Sequence, residues 1–406
     1  MQRRHTFVVF FFTLSVLITL LNIPTAYANA SGSAWDLNDV SILYPLPSSI
    51  NEMGEMIQLS DIGRGGPLIP NRYLERTPAL SQFQNQIDER RSLRVVAVRI
   101  DPCFADEALV CRRQIRLSWQ PLVGLPDGRV TSIDAALHSF YDLSEEEFSN
   151  FLSELSEARR LYGFSSRGWP LQIHPVLRAQ GLNGAFARVL KNLILKYAGD
   201  DNLRKLTFMV VRGPEVFWGF GGYEIDANGV TTPVLIPRMG SLVLHQSFVN
   251  HSQAGDDFIR AILSPTPIEG ERLDLFIRGS AKLTQSGISE EEIVRALRAG
   301  HMAENPGHHN PNTLDCVSCH LAQSVLDFGE RLFPSLAVLA RTPEAVYKND
   351  EFNLSQAGSG MGGAAKPWHT RNLRAFGYFG STPAISRRVI HESAEAARVL
   401  NAYPKF

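Results

Sequence analysis

Two stretches, RVVAVRI (94–100) and QIRLSW (114–119), decide how this chain folds. The first is rich in β-branched residues. The second alternates and sets Ile115, Leu117 and Trp119 on one face of a strand. Together they predict an antiparallel hairpin. Cys103 follows the first run and Cys111 precedes the second, so a disulfide between them would staple the connecting loop. Closing so short a loop is a structural task worth about 2–3 kcal/mol, and nothing nearby supports a redox-active pair.

Further strands follow: LTFMVV (206–211), EVFWGFGGYEI (215–225), TTPVLIP (231–237) and SLVLHQSF (241–248). Asn228-Gly229 marks a hairpin between the second and third of these. A helix starts at Ser144, where Glu147 completes a capping box, and buries Phe148, Phe151, Leu152, Leu155 and Ala158 before Gly163. Another covers 184–198 with Phe186, Val189, Leu190, Leu193 and Tyr197 on one side. The expected class is therefore α+β, an antiparallel meander with packed helices over residues 93–285. The glycine-rich strand FWGFGGY reads as core aromatics with a bulge in preference to a ligand platform. His138, His174, His245 and His251 lack metal-binding spacing and read as surface or hydrogen-bonded residues.

Upstream, residues 31–92 are rich in turn formers, as in YPLPSS and GRGGPLIP, and read as an irregular lead-in that wraps the sheet. Residues 1–30 differ in kind. Arg3 and Arg4 precede the apolar run TFVVFFFTLSVLITLL, and small residues end the segment at Ala26, Ala28 and Ala30. That is the pattern of a secretory signal cleaved after Ala28 or Ala30. It implies a periplasmic or otherwise exported protein with no stable membrane span after cleavage. Forty basic residues balance forty-one acidic ones among 406, a net charge of −1 that carries no nucleic-acid footprint.

Residues 286–406 form a smaller, mainly helical segment. SEEEIVRALRAG pairs Ser289 with Glu292 as a capping box, buries Ile293, Val294 and Leu297, and predicts a stop at Gly300. HHNPNTLDCVSCH (308–320) comes next, and HLAQSVLDFGERLF continues as a helix to Pro334. A glycine-rich loop covers 353–368. A last helix from Thr382-Pro383 buries Ile385, Val389, Ala396 and Leu400, with His391 on its surface.

CVSCH is the C-x-x-C-H pattern of haem c attachment. Cysteines three apart at a helix start can each bond a vinyl group, and His320 is then placed beneath the iron. Met361, in GSGMGGAAKPW, is a candidate for the other axial position, with His308, His309, His301 and His369 as competitors. Trp368, Arg371 and Arg374 read as exposed loop residues. Zinc is the alternative cofactor, held by His308, His309, Cys316 and Cys319, although the histidines lack the usual register.

With its order of helix, CVSCH, glycine-rich loop with methionine and terminal helix, the segment from about 290 to 400 resembles mono-haem cytochromes c. The resemblance implies a cytochrome c-like C-terminal domain, attachment at Cys316 and Cys319, proximal ligation by His320 and distal ligation by Met361. It departs from that family in the fifteen residues between Gly300 and Cys316. The implied function is one-electron transfer to a redox partner protein, with the α+β domain docking a partner or ligand. The alternatives are a haem-dependent peroxidase or oxidase, and a zinc-braced, non-catalytic envelope binding protein.

Overall fold

A computed structural model describes residues 34–81, 89–105, 111–162, 167–212, 217–238, 241–249, 287–310, 313–356, 373 and 375–402. Residues 1–30, Gly163, His251, Met361, Trp368, His369, Arg371 and Arg374 lie outside these ranges.

The described chain is α+β, built on one large antiparallel sheet. Its first strand, β1 (Ser41–Leu43), comes from the lead-in and follows the helical turn α1 (Leu37–Val40). Next come a small ribbon, β2 (Ile62–Gly63) with β3 (Gly66–Pro67), and the turns α2 (Asn71–Leu74) and α3 (Glu89–Ser92). The long hairpin is β4 (Leu93–Ala105) with β5 (Cys111–Gly124), followed by β6 (Val130–Ser132) and β7 (Ala136–Leu143). After three helices the sheet resumes with β8 (Leu203–Arg212), β9 (Phe217–Ile225) and β10 (Thr231–Pro233). β11 (Ile236–Arg238) pairs only with β12 (Ser241–Val243), and β13 (Gln246–Val249) returns to β9. The main order is β1-β4-β5-β7-β8-β9-β10, a meander in which β1 adds an edge that the lead-in's irregular sequence did not announce.

The alternation in β5 sets the two faces of this sheet. Ile115, Leu117 and Trp119 are fully buried on one face, with Leu137, Tyr141, Leu206 and Phe208 in register beside them. Each such side chain contributes about 1.5–3 kcal/mol through its burial. Across β5 and β7 lies α4 (Glu145–Tyr162). Ser144 caps it by accepting from the Glu147 N–H at 3.2 Å while donating its own N–H to the Glu147 carboxylate at 2.9 Å. Its buried stripe is the expected one: Phe148, Phe151, Leu152, Leu155 and Ala158. The short α5 (Pro175–Gln180) leads to α6 (Ala185–Tyr197), which packs on α4 through the edge-on pair Phe151 and Tyr197. Ile194 replaces Val189 in its buried stripe, and Val189 is exposed.

The other face is covered by the C-terminal segment. It comprises α7 (Glu290–Glu304), α8 (Cys316–Leu332), α9 (Pro334–Ala340), the ribbon β14 (Phe376–Phe379) with β15 (Thr382–Ile385), and α10 (Arg387–Ala402). Ser289 and Glu292 form the expected capping box. Gly300, however, does not end α7, which runs on to Glu304. A Cβ at Gly300 would lie 3.2 Å from Leu326 of α8, so this glycine serves helix contact. The last helix begins at Arg387 instead of Thr382, because Thr382 and Pro383 belong to β15, opposite Phe379 and Tyr378. His391 is half-buried: its Nδ1 donates to the Glu304 carbonyl at 2.8 Å and its ring packs on Tyr347. One apolar core runs from Leu37 through the sheet to Leu400. Ser41 meets Ser393 at 2.7 Å, which ties the lead-in to α10.

Candidate functional site

Strand register assigns a row of residues to the covered face. Arg99, Arg116, Phe140, Lys205 and Glu224 stand opposite one another across five strands. Directly opposed like charges repel, and here Arg99 and Arg116 are both turned away from bulk water. Asp101 answers both, accepting from Arg99 at 3.0 Å and Arg116 at 2.9 Å. Glu392 of α10 also bridges, 2.8 Å from Arg99 and 2.6 Å from Arg388. Burial pushes the Glu392 carboxyl up, but Arg388, Arg99 and Arg116 outweigh it and hold the group at about 2. Arg388 also donates to the Ala303 carbonyl at 3.1 Å and the His309 carbonyl at 2.6 Å. Within this network three guanidiniums meet two carboxylates.

That cluster forms one wall of a cleft of about 190 Å³ between the sheet and the C-terminal segment. Cys316, Cys319 and His320 line the same cleft. Leu314, Val234, Ile236, Phe376 and Val389 supply apolar wall. The motif is held in place by its helix cap. Asp315 accepts from the Ser318 N–H at 3.0 Å and from Gln246 Nε2 at 2.6 Å, while Gln246 accepts from the Val317 N–H at 2.9 Å. Burial raises the Asp315 carboxyl to about 6. Desolvation likewise lifts Cys316 to about 12 and Cys319 to about 11. The two thiols are unbridged and, at neutral pH, protonated.

His320 Nδ1 lies 2.5 Å from the Leu373 carbonyl oxygen. A carbonyl can only accept, so Nδ1 carries the proton and Nε2 becomes the candidate ligand atom. Leu373 is itself fixed, its N–H donating to Asp134 at 3.2 Å, and Asp134 also accepts from Trp218 Nε1 at 3.2 Å. Phe220 packs against the His320 ring at 5.1 Å. The strand FWGFGGY thus gives a buried Trp218, as expected, and in Phe220 a direct neighbour of the motif, but its pairing with β8 runs in unbroken register without the expected bulge.

The donor set fits haem c. Two neutral thiols, a histidine with a fixed tautomer, an apolar wall and the partly buried cations Arg116 and Lys205, paired with Asp101 and Glu224, all meet in one cleft. The zinc set is not gathered. His308 is exposed and engages the Glu344 carbonyl, His309 is buried with Nδ1 3.3 Å from Thr313 Oγ1, and neither lines the cleft. His301 pairs with Glu330 at 3.2 Å. Among the described residues no three His, Cys, Asp or Glu side chains converge as a metal site.

Among the other scattered histidines, His174 is buried and caps α5, and His245 is exposed. His138 lines the cleft. Cys103 and Cys111 are disulfide-bonded, with Cα atoms 4.5 Å apart, at the loop end of the β4–β5 hairpin. Sequence reasoning missed Arg99, Arg116, Lys205, Arg388 and Glu392. Their signal was the alternation itself, since the polar positions of β4 and β5 are those opposite the apolar set. Ordinary sheets turn such a face to water, so alternation alone does not mark it as a site.

No helix among the described residues is long and apolar enough to cross a membrane. No protein-family model, curated protein or solved structure matches this chain.

Proposed function

We propose that this is an exported, mono-haem c-type cytochrome-like protein that transfers single electrons to a partner protein. The observation that carries the reading is that Cys316, Cys319 and His320 open onto one cleft with a buried guanidinium network. Haem, when bound, supplies a one-electron iron couple.

The chain's own contribution follows from its side chains. Cys316 and Cys319 would hold the haem by adding their S–H groups across its two vinyl groups, each sulfur bonding one carbon and each hydrogen going to the neighbouring carbon, with no oxidant consumed. Protonated, partly buried thiols suit a product that remains neutral. His320, fixed through Leu373 and Asp134, orients a ring nitrogen into the cleft. Arg116 and Lys205, on the charged row of the sheet, are placed to take propionates. Leu314, Ile236 and Phe376 exclude water around the motif, which lowers the reorganisation that accompanies electron exchange.

The test is electron exchange with a soluble one-electron mediator, followed optically in the purified haem-loaded protein. Rapid, reversible reduction and reoxidation without turnover of peroxide supports an electron carrier. Catalytic peroxide consumption would replace that reading with the peroxidase alternative.

A further inference from the structure

We propose that a second cavity, walled by the lead-in and by Arg94 at the start of β4, binds a small organic carboxylate whose apolar body packs on the lead-in's aliphatic side chains. Among the described residues it shares none with the cleft, and it does not depend on the haem reading. The cavity encloses about 590 Å³, within the usual range for a small-molecule site. Arg94 apart, its described lining comes from residues 58–91, the segment whose sequence promised only an irregular wrap.

The recognising group is a guanidinium already fixed by the backbone. Arg94 is only 9% exposed. Its Nε donates to the Met53 carbonyl at 2.8 Å, and Nη1 donates to the Arg91 and Leu93 carbonyls at 2.6 Å and 2.9 Å. Those bonds use three of the five N–H groups of a guanidinium and leave the two on Nη2, for which no described residue supplies an acceptor. Carbonyls also leave the positive charge unbalanced. Among the described residues the carboxylate that acts on it is Asp61. Asp61 already accepts from Lys191 Nζ at 2.8 Å and from the Gln58 N–H at 2.9 Å. Burial accordingly presses the Arg94 pKa down. A nearly buried arginine without a carboxylate of its own is costly, and an anion in the cavity that it lines would offset that cost.

The rest of the wall selects the body of that anion. Leu59, Ile69 and Leu74 supply aliphatic surface, with Ser60 and Asn71 as polar neighbours. The exposed Arg91 lines the same cavity, and no carboxylate does among the described residues. Ile62, on the β2–β3 ribbon, also lines it and is 66% exposed, an exposure that a ligand's hydrocarbon would relieve. The wall is anchored. The Arg64 N–H donates to the Ala198 carbonyl at 3.0 Å, and a Cβ at Gly63 would lie 2.0 Å from that oxygen, so the ribbon sits tight against the end of α6. Earlier in the lead-in, Gln58 bridges Arg94 and the Val95 N–H donates to the Ile57 carbonyl at 3.0 Å. One available guanidinium nitrogen suits one carboxylate, and an aliphatic wall disfavours a second charge. The ligand class is thus a monocarboxylate with a short hydrocarbon body.

The experiment is isothermal titration of the mature protein with octanoate, octanol and octylamine, which share a hydrocarbon body and differ in charge. Octanoate should bind one to one, octanol at least about tenfold more weakly, and octylamine not measurably. Arg94→Gln should weaken octanoate by a similar factor. Because Arg94 also braces three backbone carbonyls, Ile62→Glu serves as a second variant. Its exposed position tolerates the change and sets a negative charge at the cavity. It should weaken octanoate while the melting temperature of the free protein stays unchanged. Octanoate that fails to bind, octanol that binds as tightly as octanoate, or either variant folded and of wild-type affinity overturns the assignment.

Discussion

Arg99 and Arg116 face each other directly across β4 and β5, with Asp101 joined to both. Two opposed guanidiniums, Arg99 buried and Arg116 partly buried, are an expensive arrangement for a sheet. Glu392 supplies the other balancing charge from α10. The network therefore connects the sheet to the terminal helix and cannot lose a member cheaply.

Glu392→Gln should cost about 3–5 kcal/mol, since removing one partner leaves buried arginines uncompensated. Denaturant unfolding at neutral pH measures it. The carboxyl's folded value of about 2 lies below its ordinary 4.5, so its stabilisation is present above pH 4.5 and is lost as pH falls toward 2. The variant should show a flatter stability profile in that acid window.

Asp315 has the opposite sign. Its folded value of about 6 lies above 3.8, so the fold binds more protons than the unfolded chain between those limits. The contribution is complete below about pH 4 and disappears as pH rises through 6. Asp315→Asn keeps a competent helix cap and removes the buried charge. It should melt at the same or a higher temperature than the wild type at pH 7, and the difference between the two should shrink toward pH 4. A variant much less stable at both pH values would contradict this account of the cap.

Replacing Cys103 and Cys111 by serine should cost about 2–3 kcal/mol through the loop entropy restored to the unfolded chain. The disulfide lies at the hairpin end and neither cysteine lines the cleft. Haem content and spectrum should be unchanged in the folded variant.

At Gly300, alanine gains about 1 kcal/mol of helix propensity and meets Leu326 at 3.2 Å. Gly300→Ala should be nearly neutral, because the leucine side chain can shift. Gly300→Leu should lower the melting temperature by several degrees by prising α7 from α8.

Much of the architecture was legible because periodicity is local. The β4–β5 hairpin, the disulfide, the Ser144 and Ser289 capping boxes and the stripe of α4 all follow from neighbours within a few residues. Gly300 was misread because a glycine that ends a helix and one that admits a second helix look alike in sequence; only Leu326 separates them. Thr382-Pro383 resembled a helix start, yet Gly380, at φ +60°, turns the chain into a ribbon first. The cleft was legible only on its C-terminal side. Arg99, Arg116, His138 and Lys205 come from four strands spread over more than a hundred residues, and only register brings them opposite CVSCH.

The central claim is covalent haem at Cys316 and Cys319, and the most direct measurement is haem staining of the mature protein on a denaturing gel. It is produced in a host with the haem-attachment machinery, beside the Cys316→Ala, Cys319→Ala double variant. The account predicts a stained band at the protein's mass for the wild type and none for the variant. A colourless wild type from a host that loads other c-type proteins would contradict it.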